Sequence, residues 1–337
     1  VKRPQREDAD DEDDAEDERL DLALAASATD DGDEQVFTHA PVMLDEVLEH
    51  LLPPGRAGAP VLYDLTLGLG GHLRAFLERA PDARAFGLDA DPLAIERTRR
   101  ALESSSGGQG LGARATLEHA SLREVGRVAR ERGWPAPTAV LMDLGLSSPQ
   151  IEQASRGFSY RREGPLDMRF DPTQGMTASD LLHALPTSEL AEKIAVLGDE
   201  PHALDIVRLI KRRLPVQTTT QLAAIVLEAY GRRPSRVHPA RRIFQALRMM
   251  VNDEVAAIEE GVWDSIELLA PGGRLGVISF HSGEDRAVKD VMRNGARRGL
   301  LKIVTRRPAR PGERECFQNQ RARSAKLRVG ERTTAPV

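Results

Sequence analysis

The sequence predicts an α/β protein built on a Rossmann-like, doubly wound sheet with an inserted helical subdomain. Three observations carry this. Between residues 61 and 145, short apolar runs alternate with helical stretches, the rhythm of parallel strands joined by crossover helices. Three glycines, Gly68, Gly70 and Gly71, follow the first run directly, where an open sheet turns toward a ligand. From 151 to about 237 the alternation gives way to helical patterns such as "SELAEKIAVLG" and "TTTQLAAIVLEAYG", and then it resumes.

Each element has a local cause. "VLYDL" (61–65) is a short apolar strand, and "HLRAFLERA" (72–80) is the helix beyond its glycine turn. "RAFGLD" (84–89) reads as the second strand, followed by a helix over 91–104 with Asp91 as N-cap and Pro92 at its first position. "SSSGGQG" (104–110) is a loop. "ARATLEHA" (113–120) supplies strand three, 121–133 a helix that Gly133 ends, and "TAVLMDLG" (138–145) strand four. A long helix from Pro239 is expected, because Phe244, Leu247, Val251, Val255, Ile258, Val262, Ile266 and Leu269 step by threes and fours. Then come the strand in "APGGRLGVISF" (270–280), a helix in "GEDRAVKDVMRNGA", and two last strands, "LKIVT" (301–305) and "AKLRV" (325–329).

Charge divides the chain. The net charge is −5, but residues 1–35 hold 15 acidic and 4 basic side chains, leaving the rest at +6. A stretch so self-repelling and so poor in apolar groups is expected to be a disordered acidic tail. Between Ile206 and Arg248, ten Lys or Arg face a single acid, Glu228, a pattern suited to a phosphate-rich partner or to a solvated helix face. The lone cysteine, Cys316, excludes an internal disulfide framework and a cysteine-rich metal site. No apolar run is long enough to cross a bilayer, and the basic-then-apolar pattern of a signal peptide is missing, so a cytoplasmic protein is expected.

The stretch "YDLTLGLGGH" (63–72) bears on chemistry. Its glycines bring bare backbone close to a ligand. Asp89 lies at the end of strand two, 19 residues after Gly70, where a carboxylate accepts from ribose hydroxyls. The spacing is not that of the dinucleotide fingerprint, since Leu73 stands where the third glycine belongs, and no Lys-Ser or Lys-Thr completes a P-loop. A nucleoside cofactor without a diphosphate fits better, and S-adenosylmethionine is that cofactor. Strand four ends in "DLGLSSPQ" (143–150), which places Asp143, Ser147, Ser148 and Pro149 toward the reacting end. Amine methylation needs mainly positioning of the nucleophile. Cys316, with no motif around it, is not expected to act as a nucleophile.

These residues resemble a known family. "FTHAPVMLDEVL" (37–48), "DLTLGLGGH" (64–72), "LDADPLAI" (88–95), "LMDLGLSSPQ" (141–150), "RGFSYRREGPLDMRFDP" (156–172), "HPARRIFQALRMMVNDE" (238–254), "LAPGGRLGVISFHSGEDRAVK" (269–289) and "RARSAKLR" (321–328) are similar to the bacterial 16S ribosomal RNA cytosine-N4 methyltransferases, the MraW or RsmH family. The resemblance covers roughly 37 to 332. It implies a class I methyltransferase fold, with the cofactor-binding domain formed by 36–150 and 238–337 and an RNA-recognition subdomain by 151–237. It also implies methyl transfer to the N4 amine of a cytidine in 16S rRNA of the small ribosomal subunit. Cofactor contacts carry over to Gly70, Gly71, His72, Asp89, Asp143 and Gln150, with Leu122 where the family has a phenylalanine. Gly283 replaces a leucine in "FHSGEDR", and Leu197 a tyrosine in the insertion. Segment 156–172 is expected to form a lid with Asp167, Met168 and Arg169 near its centre, Phe158 and Tyr160 being candidates to stack on a base. His281 and Glu284 are read as caps or active-site support, with no metal site expected. Arg321, Arg323, Lys326 and Arg328 are candidate phosphate contacts. The oligomeric state stays open, a homodimer included. Two rivals remain, a nicotinamide-dependent oxidoreductase and a non-catalytic RNA-binding protein on a methyltransferase shell.

Overall fold

The computed structural model describes residues 40–55, 58–104, 110–231 and 238–335. The acidic tail, most of the 104–110 loop and the basic stretch 232–236 lie outside these. The chain divides into two compact units. One is Ser148–Asn252, and the other combines Thr38–Ser147 with Asp253–Val337.

The larger unit is a seven-stranded sheet. In chain order its strands are β1 (Val61–Asp64), β2 (Arg84–Asp89), β3 (Ala115–His119), β4 (Ala139–Asp143), β5 (Arg274–Ser279), β6 (Leu301–Ile303) and β7 (Lys326–Arg332). They are arranged β3-β2-β1-β4-β5-β7-β6. The first five are mutually parallel. β7 enters antiparallel between β5 and β6, so it alone is reversed and β6 runs in the same sense as the first five. Order reverses between β1 and β4, the point where doubly wound sheets open a crevice at their carboxyl ends.

Alternation along the strands feeds two cores. Leu62, Ala85, Leu141, Ile278 and Leu327 face one side, covered by α1 (Leu44–Leu51), α2 (Gly71–Arg79) and α3 (Pro92–Ser104). Tyr63, Phe86, Val140, Met142 and Val277 face the other, covered by α4 (Val125–Arg132) and two later helices. Burial on both faces explains why the strands read as near-continuous apolar runs. Asp91 does cap α3, its Oδ1 accepting from Leu93 N at 3.0 Å. Gly133 ends α4 at φ 62.

The smaller unit is helical: α5 (Ser148–Glu152), α6 (Ala178–Ala184), α7 (Thr187–Leu197), α8 (Ala203–Arg212), α9 (Thr219–Tyr230) and α10 (Ala240–Val251). The single helix expected beyond Pro239 is in fact two, α10 and α11 (Glu254–Leu268). The helix breaks at Asn252–Asp253, where Asp253 takes φ 47, a left-handed conformation that cannot continue a right-handed helix. α10 packs on α7 within the helical unit, whereas Ile258, Val262 and Ile266 of α11 join the second sheet core. The junctions therefore fall at 147/148 and 252/253, against the 150/151 and 237/238 expected from sequence. α12 (Ser282–Arg297) and α13 (Glu313–Gln318) complete the larger unit.

Candidate active site

The carboxyl ends of β1, β2 and β4 carry Asp64, Asp89 and Asp143. Asp89 closes the glycine turn. Its Oδ2 accepts from Gly68 N at 2.8 Å and its Oδ1 from Asp91 N at 2.8 Å. An ionised carboxylate has about four acceptor positions, so two remain for a ligand's hydroxyls. Burial pushes the Asp89 carboxyl up to about 6 against those two backbone donors.

Gly70 sits at φ 72, and a Cβ there would lie 2.4 Å from Thr98 Cγ2. A Cβ on Gly71 would lie 2.5 Å from Pro41 Cγ. The space on the Cβ side of these two glycines is filled by the protein's own side chains. Only Thr66 O comes near the Cβ position of Gly68, at 3.9 Å.

His72 opens α2 and is buried. Its Nε2–H donates to Val42 O at 2.9 Å, since a carbonyl only accepts. Burial holds the imidazole below its ordinary value, with Asp64 pulling the other way. Nδ1 of the neutral ring is then bare and stands 3.7 Å from Asp143 Oδ2, too far for a hydrogen bond. Asp143 N donates to Thr66 Oγ1. The carboxyl of Asp143 is less well served, because its Oδ1 is buried with no hydrogen-bond partner among the described residues. Burial pushes this group up to about 7, with Arg321 opposing and Glu284 adding to the shift. Asp64, only 2% exposed, is likewise pushed up to about 7 by burial, with His72 opposing. A buried acceptor without a donor, close to bare backbone and a second carboxylate at the ribose position, fits a nucleoside carrying an ammonium group. These residues suit S-adenosylmethionine.

The other site candidates separate. Leu122 is half-buried in a 3₁₀ turn, and its Cδ1 fills the space that Gly261 leaves on α11. Ser147 ends the larger unit, while Ser148, Pro149 and Gln150 form the buried start of α5 in the smaller one. Phe158 is buried and stacked on Phe170 (centroids 5.9 Å apart), and Tyr160 is stacked on His238 at 4.6 Å. Both rings therefore have partners already, against the expectation that they await a base. The 156–172 segment is tied down internally. Arg156 donates to the carbonyls of Arg169 and Phe170, Asn252 holds Met168 O and Phe170 N, and Asp167 pairs with Arg169 at 2.7 Å.

His281 caps α12. Its Nδ1 accepts from Glu284 N at 3.4 Å, and its Nε2 lies 3.0 Å from Glu284 Oε1. Glu254, His281 and Glu284 bring ligand atoms within 4.8 Å of one another, a spacing that suits a metal ion, but both ring nitrogens are engaged in the cap. α12 begins at Ser282 with Gly283 in its first turn. Of the basic candidates, Arg328 makes a two-point pair with Asp285 (2.6 and 2.9 Å), and Arg323 donates to Cys316 O at 3.1 Å. Lys211 donates to the carbonyl of Leu182 in the last turn of α6 and to that of Leu185 just beyond it, and Arg213 pairs with Glu228 at 2.8 Å. These four are engaged with partners in the fold.

Sequence reasoning missed Glu315. Its Oε1 accepts from Met43 N at 2.7 Å, across 272 residues of chain, and no local pattern announces such a contact. Thr66 and Thr98, which hold Asp143 N and Gly68 O, lie in or beside quoted motifs but passed as ordinary threonines.

Strand order and the reversed last strand together define a class I methyltransferase fold. The family comparison agrees: the MraW methylase family profile matches residues 36–333. The chain belongs to that family. A protein of Thermomicrobium roseum named "Ribosomal RNA small subunit methyltransferase H" is 43% identical over 314 residues, covering 88% of this chain and 94% of its own length. A protein of the same name from Deinococcus radiodurans is 43% identical over 304 residues, covering 89% of this chain and 91% of its own. Among the described residues, no helix is long and apolar enough to cross a membrane.

Proposed function

We propose that this chain is an S-adenosylmethionine-dependent methyltransferase acting on the exocyclic N4 amine of a cytidine in 16S rRNA of the small ribosomal subunit. The observation that carries the reading is the buried Oδ1 of Asp143 at the sheet's switch point, without a hydrogen-bond partner among the described residues, in a chain 43% identical over most of its length to named rRNA methyltransferases.

When bound, S-adenosylmethionine supplies an electrophilic methyl carbon on a sulfonium. The protein's part is to bind and orient. Asp89 accepts from ribose hydroxyls, and Gly70, Gly71 and His72 form the floor under the nucleoside. Asp143 gives Oδ1 to an ammonium or amino donor, which replaces the solvent that burial removed. Ser147, Ser148 and Pro149, following β4 in the chain, are assigned to the transfer centre, and Gln150 and Leu122 to the cofactor. A cytosine amine has its lone pair delocalised into the ring. Acceptors holding its N–H groups favour the pyramidal nitrogen that attacks carbon, so alignment carries most of the rate. The helical unit is assigned to rRNA recognition.

The test is nucleoside mass mapping after incubating the protein and S-adenosylmethionine with small subunits lacking the modification. N4-methylcytidine at a single 16S position supports the reading. Methylation of another base, or none, removes it.

A further inference from the structure

We propose that segment 306–317 is a landing surface for single-stranded RNA, with Phe317 as a stacking platform for an unpaired base. This deepens the reading above and rests on it for the identity of the RNA. Phe317 lies on α13 and is 85% exposed, the most exposed large apolar side chain among the described residues and the sole aromatic of that set. It adds nothing to either core. Arg306, Arg307, Arg310 and Arg314 beside it in sequence are also exposed. Arg306, Arg307 and Arg314 make no ion pair among the described residues, unlike Arg323 and Arg328, which the fold has engaged. Residues 306–328 hold eight basic and two acidic side chains. Uncommitted guanidinium groups in the same segment as an open ring are what sequence-tolerant single-strand binding uses, phosphates meeting the charges and a base meeting the ring. The charge selects a polyanion over an apolar protein partner.

The placement suits a substrate strand. Asn319 Nδ2 donates to Ala40 O at 3.3 Å, and Met43 N to Glu315 Oε1 at 2.7 Å. Residues 40–43 in turn rest on the cofactor loop, through Val42 O on His72 at 2.9 Å and Pro41 against Gly71. Residues 40–43 thus lie between α13 and the glycine turn, in contact with both.

The experiment measures binding of a dye-labelled single-stranded 12-mer RNA to the full chain by anisotropy. Phe317→Ala is expected to weaken binding about tenfold, and Phe317→Trp to retain it. The triple change Arg306→Ala, Arg307→Ala, Arg314→Ala is expected to lower the slope of log affinity against log salt by about two. Calorimetric affinity for S-adenosylmethionine serves as the control and stays level in all variants. RNA binding that ignores both sets of changes overturns the proposal, as does an altered oligomeric state in Phe317→Ala with RNA affinity unmoved. An absence of methyl transfer with these binding effects intact would count against the enzymatic reading alone.

Discussion

The role proposed for Asp143 predicts that cofactor binding is linked to a proton. In the free protein burial raises its carboxyl to about 7. A ligand ammonium beside Oδ1 favours the ionised form and returns the group toward its ordinary acidic range. Binding below neutrality must first remove the proton, so apparent affinity falls as pH falls. With the free-protein value near 7, the loss is about tenfold at pH 6 and about a hundredfold at pH 5, with little change above pH 8. Asp143→Asn cannot ionise. It loses a charge-assisted hydrogen bond of about 1.5–3 kcal/mol, roughly tenfold to 150-fold in affinity at pH 8, and its remaining pH dependence is shallower. The assay is titration calorimetry with S-adenosylmethionine from pH 5 to 8, in two buffers of different ionisation enthalpy to count protons. Parallel pH profiles for wild type and Asp143→Asn would refute the argument.

Other consequences follow from the same geometry. Asp64 keeps its proton to about 7 when folded, against 3.8 as its ordinary value. Between those values the folded state binds more protons, so stability falls as pH rises through that window and levels above it. Asp64→Asn removes this contribution, and urea unfolding at pH 5 and 7.5 should show the variant gaining on wild type at the higher pH, by about 2.5 kcal/mol. Gly71→Ala puts a methyl 2.5 Å from Pro41 Cγ; a loss of about 1–3 kcal/mol in chemical denaturation is expected, with weaker cofactor binding as residues 40–43 shift. Arg328→Ala leaves Asp285 unpaired in a largely buried site and should cost about 3–5 kcal/mol in the same assay.

Much of the sheet was legible because buried strands are apolar throughout, and "RAFGLD" coincides with β2. Asp89 could be placed because strand ends mark ligand positions in this fold. The helix break at Asn252–Asp253 was not legible: the apolar stripe runs on through it while the two halves pack in different units. The direction of β7 was hidden too, since a short apolar run carries no sense of orientation. Phe158 and Tyr160 looked available because sequence gives an aromatic's identity without its partner. Glu315 and Phe317 share a six-residue helix whose setting depends on contacts with residues 40–43, beyond the reach of any window-based pattern.

The central claim is that the crevice at the ends of β1, β2 and β4 holds a sulfonium nucleoside. A crystal structure with S-adenosylmethionine tests this most directly. Ribose hydroxyls on the Asp89 carboxylate, backbone contact at Gly70–Gly71 and a donor on Asp143 Oδ1 are the expected contacts. A ligand bound elsewhere, with these three positions untouched, would contradict it.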